Sequence, residues 1–295
     1  MLDLDGTTIK AGVEVSPRVR KALRRAHEEG CLLVVSTGRP LGMIPIAILR
    51  LGVMDYYLCA NGAKVYDAQG NELFSRTLSR DKVKLLMSEL APQQPGWNVF
   101  SDAHSWIERS GVSYMVADLH SIRAKLRSHW PSSPRQLKNF MRGVIHSTIG
   151  ERGKSIVDSI VPVVDSHEEF EKAGCSFASD EACAEAVSRI EELGGFQVAR
   201  VWSRELEITA SGVTKGNTCD WLLERLGVER ERTVAFGDSM NDASLIGHVG
   251  RFVAMGNASE ELKDLADESC ASLAEDGVAA WIESQIDEAL AGADE

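Results

Sequence analysis

Several structural classes are excluded by what this sequence lacks. Its six cysteines, Cys31, Cys59, Cys175, Cys183, Cys219 and Cys270, form no CxxC pair and no Cys/His cluster at zinc-ligand spacing. That argues against a zinc module or a thioredoxin-like redox site and leaves buried, reduced thiols as the expectation. No stretch reaches the ~18 apolar residues of a membrane span. The opening Met1-Leu2-Asp3-Leu4-Asp5 carries charge at once, where a signal peptide has an apolar run. Positive charge is scarce too, with 32 Lys and Arg against 44 Asp and Glu, a formal net charge of −12. A nucleic-acid backbone or an anionic membrane is therefore not the expected main partner, although a small phosphorylated ligand in a locally positive site is compatible with it. What is present is ordinary for a soluble globular chain: 295 residues, 44% apolar and 26% charged, enough for one large or two medium domains. A cytoplasmic enzyme or binding protein is the expectation.

Apolar periodicity and turn residues divide the chain. Ser16 is placed to cap a helix with Pro17 in its first turn and Gly30 just past its end, with Val19, Leu23 and Ala26 as the apolar stripe. The continuous apolar run Cys31-Leu32-Leu33-Val34-Val35 has the pattern of a parallel strand covered on both faces, ending in Ser36-Thr37-Gly38-Arg39. A helix over about 41–51, irregular near Pro45, precedes a strand over 56–60 that ends in Asn61-Gly62. Alternating strands and helices predict an α/β domain whose ligand site lies beyond the carboxyl ends of its strands. Between about 80 and 204 the texture changes, with Pro92, Pro95, Pro131, Pro134 and Pro162 and short apolar runs such as 160–164, so an inserted α+β domain with a more antiparallel sheet is expected. Within it, a helix over 180–193 closes at Gly194-Gly195, and the run 196–210 supplies two strands, the second returning to the core. The α/β pattern then resumes, with a helix from Lys215 to Gly227, strands over 233–236 and 252–255, and a frayed acidic helix end over 287–295.

Four polar clusters follow predicted strands or open a helix. Asp3 and Asp5 stand two apart, so in an extended segment they point the same way and can converge on one reaction centre. One carboxylate can attack phosphorus while the other, protonated, serves a departing alcohol; two solvated carboxylates in a surface turn are the competing reading. The hydroxyls and backbone N–H groups of Ser36-Thr37-Gly38-Arg39 suit a phosphate oxygen or simply a helix cap. Lys215, in Gly212-Val213-Thr214-Lys215-Gly216, is either a solvated lysine or a charge that offsets a carboxylate and a phosphoryl group together. Asp238 and Asp242, in Gly237-Asp238-Ser239-Met240-Asn241-Asp242, stand four apart at a strand end, where carboxylates can hold a hard Mg2+ ion.

In this order, Asp3-x-Asp5-Gly6-Thr7, Thr37-Gly38-Arg39, Lys215 and Gly237-Asp238-x-x-Asn241-Asp242 resemble the four motifs of the haloacid dehalogenase superfamily. The insertion between the second and third motifs, with Ala60-Asn61-Gly62-Ala63 and Met255-Gly256-Asn257-Ala258, is similar to the Cof-type sugar-phosphate phosphatases, which carry a C2-type cap. The resemblance implies an α/β Rossmann-like core with a parallel sheet, formed by 1–79 and 205–295, and an inserted α+β C2-type cap over 80–204 that selects substrate. It implies Asp3 as nucleophile and Mg2+ ligand, and Asp5 as general acid/base whose backbone carbonyl also meets the metal. It further implies Asp238 as a direct metal ligand with Ser239 beside it, and Asp242 holding metal-bound water. Thr37, Gly38, Lys215, Asn241 and the Leu4 backbone N–H would surround the phosphate, with Asn61 on a loop nearby.

The implied activity is Mg2+-dependent hydrolysis of small phosphorylated metabolites, sugar phosphates in particular, through an aspartyl-phosphate. A phosphomannomutase-like transferase and a non-catalytic phosphate-binding module are the alternatives. Candidates for recognising the alcohol part include His104, Trp106, His146 and Trp202, each equally suited to core or surface. Only Met1 and Leu2 precede Asp3, where the family has a strand of several apolar residues. The expectation is a missing upstream segment, whose loss from a sheet centre would cost several kcal/mol of burial. A chain extended upstream should therefore melt higher.

Overall fold

The computed structural model describes residues 1–10, 12–114, 153–202 and 204–293, in two compact units. The first comprises Met1–Gly38, Ile44–Phe74 and Thr214–Glu295; the second comprises Arg39–Met43 and Ser75–Val213. Among the described residues no helix is long and apolar enough to cross a membrane.

The first unit opens on Leu2, which donates to Val34 and accepts from Ser36, both at 2.8 Å. Helix α1 (Pro17–Glu28) is capped by Ser16, whose Oγ accepts from the Val19 N–H, and buries Val19, Ala22, Leu23 and Ala26. Strand β1 (Val34–Ser36) is shorter than the apolar run suggests. The Cys31 N–H is still tied to Ala26 at the helix end, and the Leu33 N–H is taken by the Asp55 carboxylate at 2.7 Å. Cys31 and Leu32 are consequently exposed, so Cys31 is not the buried thiol expected, and Cys270 is only half-buried; the other four cysteines are buried, and all six are free. The expected 41–51 helix reduces to a 3-10 turn, Leu41–Met43, and one α turn, α2 (Ile46–Leu49), begun by Pro45. Strand β2 (Tyr56–Cys59) runs parallel to β1, β3 (Lys64–Asp67) returns antiparallel, and β4 (Glu72–Ser75) is the outer neighbour of β3.

The second unit begins with β5 (Leu78–Ser79) and α3 (Arg80–Glu89), capped by Ser79. Strands β6 (Gly96–Ser101), β7 (His104–Glu108) and β8 (Lys154–Val157) follow. The apolar run 160–164 is largely helical, in α4 (Val161–Ser166), because Pro162 sits in the first turn, where its missing N–H costs nothing. Strand β9 (Glu169–Phe170) pairs with β5, and β10 (Lys172–Ser176) joins the main sheet. Helix α5 (Asp180–Leu193) starts at the Ser179 cap and stops at Gly194, as its sequence predicts.

Strands β11 (Phe196–Trp202) and β12 (Glu205–Ala210) complete a six-stranded sheet ordered β11-β12-β10-β6-β7-β8, antiparallel except for β7 against β8. The expected boundary at 205 is therefore displaced. β12 does not return to the first unit but pairs with β11 and β10. Its half-buried Glu205 and Glu207 alternate with buried Leu206 and Ile208, a pattern that fits a sheet with two unlike faces better than a strand enclosed on both.

The chain re-enters the first unit at Thr214, which caps α6 (Lys215–Leu226); Gly227, at φ 64°, ends that helix. Strands β13 (Val234–Gly237), β14 (Arg251–Ala254) and β15 (Glu268–Ser269) are parallel, with α7 (Glu260–Leu265) between the last two. Helix α8 (Gly277–Ala293) pairs with α1 through Arg18–Glu283 and Arg25–Asp287 and stays helical through most of the expected frayed end. Leu2 makes parallel bridges to both Val35 and Phe236, which joins β1 and β13 into one sheet with Leu2 between them. Asp3 thus leaves the sheet centre at the carboxyl end of its neighbours, the position expected of a ligand site.

Candidate active site

The turns after Leu2, β1, β2 and β13, with the first residue of α6, bring the predicted residues together. Lys215 begins its helix under the Thr214 cap, and its side chain is fully buried. Its ammonium donates to Asp3 Oδ1 at 2.8 Å, Asp242 Oδ1 at 2.6 Å and the Ser36 carbonyl at 3.0 Å. These three acceptors use all three of its protons. Asp242 is equally enclosed, and its Oδ2 accepts from the N–H groups of Asp238 at 3.1 Å and Ser239 at 3.2 Å. One carboxylate thus folds the loop after β13 and partners the lysine.

Two close approaches shape the opposite wall. Gly6, at φ +81°, passes so near Asp238 that a Cβ there would lie 2.0 Å from Asp238 Oδ2. Thr7 Oγ1 donates to Asp238 Oδ1 at 3.1 Å, and Thr8 Oγ1 donates to the Asp3 carbonyl at 2.6 Å. The Gly6 carbonyl is held by Asn257 Nδ2 at 2.9 Å, and Asn257 Oδ1 in turn accepts from the Leu273 N–H. Asn257 belongs to a phrase that the sequence singles out; its tether to Gly6 crosses 251 positions, a separation for which local sequence holds no signal.

Asp3, Asp238 and Asp242 offer carboxylate oxygens within 4.8 Å of one another. The Leu4 carbonyl accepts from the N–H groups of Thr7, Thr8 and Ile9, so the chain turns at once, leaving Asp3 buried and Asp5 exposed. Its charge still reaches Asp238. Thr37 is buried, with its N–H on the Leu58 carbonyl; Gly38 is half-buried beside it, and Leu4 is buried. Ser239 Oγ donates to Asn241 Oδ1, and Asn241 Nδ2 donates to Asn61 Oδ1 at 3.3 Å. In the second unit, the rings of His104 and His167 each pack at a tilt against Trp106, at interplanar angles of 49° and 55°. His146 and the Trp202 side chain lie outside the described residues.

The electrostatics follow from this crowding. Burial, then Asp242, push Asp238 up to about 7. Burial also raises Asp3 well above the usual carboxylate range; Lys215 opposes that rise only in part, and the charges of Asp242 and Asp238 add to it. For Lys215 burial opposes the charge, but Asp242 and Asp3 outweigh it and hold the ammonium protonated. Three carboxylates against one ammonium leave excess negative charge, carried on hard oxygen donors. That donor set fits a divalent cation such as Mg2+.

The chain is similar to known proteins along nearly its whole length. A family model described as haloacid dehalogenase-like hydrolase matches residues 1–282. The chain is 26% identical over 281 residues to the phosphatase YwpJ of Bacillus subtilis (strain 168), covering 94% of this chain and 96% of that one. It is 27% identical over 284 residues to the 5-amino-6-(5-phospho-D-ribitylamino)uracil phosphatase YitU of the same organism, covering 95% and 94%. A solved haloacid dehalogenase-like hydrolase from B. subtilis superposes with a TM-score of 0.80 at 26% identity, covering 96% of this chain and 97% of that one. With motif residues gathered at the carboxyl ends of a parallel sheet and a family match along nearly its whole length, the chain belongs to the haloacid dehalogenase-like hydrolases.

Proposed function

We propose that this enzyme is a Mg2+-dependent phosphomonoester hydrolase that acts on small phosphorylated metabolites, sugar phosphates in particular, through an aspartyl-phosphate on Asp3. The observation that carries the proposal is the buried Lys215 ammonium, bonded at once to Asp3 and Asp242 beside Asp238. That arrangement supplies positive charge to a carboxylate nucleophile and an anionic phosphoryl group together. The relatives named as phosphatases of B. subtilis, one of them for a phosphorylated ribityl compound, support the substrate class.

In this mechanism Asp3 Oδ attacks phosphorus while the bond from phosphorus to the ester oxygen breaks, and Asp5 gives its proton to the departing alkoxide. Asp5, now ionised, takes a proton from water as that water attacks the acyl phosphate, which releases inorganic phosphate and restores Asp3. The exposed position of Asp5 suits a group that exchanges protons with alcohol and water. Lys215 orients Asp3 and favours its ionised form against the burial that raises it. Asn241, Thr37, Gly38 and the Leu4 N–H complete the cradle around the phosphoryl oxygens. Asp3, Asp238 and the Asp5 carbonyl would hold Mg2+, with Ser239 and Asp242 beside them on the water side, and the ion would supply positive charge between nucleophile and phosphate. The inserted domain over 80–204, now extended to include β12, is proposed to select the alcohol part.

The test is phosphate release from a panel of sugar phosphates and other phosphomonoesters, with and without Mg2+, for the wild type and Asp3→Asn. The expected result is release that needs both Mg2+ and Asp3. Transfer of labelled phosphate within a hexose phosphate without release would replace hydrolase by mutase, and silence of the wild type towards every ester would sink both.

A further inference from the structure

The turn Ala60–Gly62 that follows β2 is an unusual piece of backbone. Ala60 and Asn61 both adopt left-handed conformations, at φ 50° and 58°, and both are buried. Asparagine tolerates this region and alanine does not, so the surroundings must impose it. Three contacts do so. The Asn61 N–H donates to the Thr37 carbonyl at 3.1 Å. The Gly62 carbonyl accepts from Thr218 Oγ1 at 2.9 Å, on the helix that begins with Lys215. Gly62 itself packs so closely on that helix start that a Cβ would stand 2.5 Å from the Thr214 carbonyl.

The side chain adds the fourth tie. An ordinary surface Asn-Gly turn needs no distant partner for its asparagine. Asn61 is instead buried, and its Oδ1 accepts from Nδ2 of Asn241, 180 positions away. Asn241 Oδ1 is already taken by Ser239 Oγ. With its oxygen engaged and one of its two amide hydrogens directed at Asn61, the Asn241 carboxamide has a fixed plane and one remaining donor. Asn61 therefore touches the Thr37 turn through its backbone and Asn241 through its side chain, on a turn clamped to the Lys215 helix.

We infer that Asn61 is a positioning residue for phosphate: it orients the Asn241 carboxamide against the Thr37 turn so that their donors converge on one phosphoryl group. The inference rests on the hydrolase reading and names a part of that same site for which no chemical step is required. Its role is geometric, so its loss should weaken the hold on the phosphoryl group in both ground and transition states rather than remove a reacting atom.

The experiment is a double-mutant cycle of wild type, Asn61→Gly, Asn241→Ala and the double variant, with p-nitrophenyl phosphate and Mg2+. It reads kcat, KM, inhibition by inorganic phosphate and Tm. Glycine accepts φ near +58°, so Asn61→Gly should melt within a few degrees of wild type. It should lose about tenfold or more in kcat/KM and bind phosphate several-fold more weakly. In the Asn241→Ala background the same substitution should cost less than about threefold, because no carboxamide is left to orient. Asn61→Asp keeps the acceptor and the left-handed turn, and it covers the case of a glycine variant that does not fold. Its kcat should stay within about threefold of wild type while KM rises.

An unchanged kcat/KM and phosphate inhibition in Asn61→Gly, or an equal loss in both backgrounds, would overturn the inference. So would a kcat loss in Asn61→Asp as large as that of Asn241→Ala. A wild type that hydrolyses nothing removes the hydrolase reading itself, an outcome distinct from an active wild type indifferent to Asn61.

Discussion

Asp238 ties charge to stability and, on the proposed mechanism, to activity. Its pKa, pushed up to about 7 by burial and then by Asp242, lies above its unfolded value near 4. A group raised in this way contributes stability that is fully present below the unfolded pKa and is lost as pH rises through the folded one. With chelator present, Asp238→Asn should therefore melt no higher than wild type near pH 4 and progressively higher towards pH 7 and above, while phosphate release is abolished. Thermal scans at a series of pH values check this; a Tm difference that shrinks with rising pH would contradict it. That Asp3, Lys215, Asp238 and Asp242 would gather was readable at this scale, because carboxylates and a lysine at strand ends and a helix start share one end of such a sheet. The sharing of Asp242 was not readable. It depends on one carboxylate meeting Lys215 on one side and two backbone N–H groups on the other, which only a folded loop provides.

Elements with strong local punctuation were legible, and those set by pairing were not. Helices α1, α5 and α6 start where the sequence places them, and Ser16, Ser179 and Thr214 each cap one by accepting from an N–H three residues on, although only the Ser16 cap was read from the sequence. The α6 cap is also where Lys215 starts, so Thr214→Ala should cost about 1 kcal/mol of stability and lower kcat/KM, measurable by urea unfolding and by assay. Strand β1 shows the limit. An apolar run is compatible with a strand over 31–35, but Ala26 and Asp55 take the backbone N–H groups of Cys31 and Leu33. Strand β12 was assigned to the wrong unit because its partners, β10 and β11, are chosen by register and not by composition. The proline in 160–164 marks a helix start in context, although without context it reads as a break in a strand.

At the scale of the whole molecule, a chain of net charge −12 concentrates three carboxylates around one lysine at the centre of its first unit's sheet. A ligand that binds only the folded state stabilises it by mass action, by about 2.7 kcal/mol at a hundred times its Kd. Mg2+ should accordingly raise the Tm of the chelated protein by several degrees at pH 8, and by less at pH 5, where the acids are partly protonated; differential scanning fluorimetry reads both. No shift at pH 8 would argue against a divalent cation at Asp3 and Asp238. By itself, the sequence determined the class of fold, the existence of an insertion and the charged residues, Asp3, Lys215, Asp238 and Asp242, that the fold brings together, because periodicity, caps and strand-end polar clusters are local properties of the chain. Only the tertiary structure decided that Leu2 bridges β1 and β13, that β12 belongs to the second unit, that Asn257 tethers Gly6 and that Asn61 meets Asn241. Those are hydrogen bonds and pairings between distant positions, and no segment of the chain carries the information about which other segment will stand beside it.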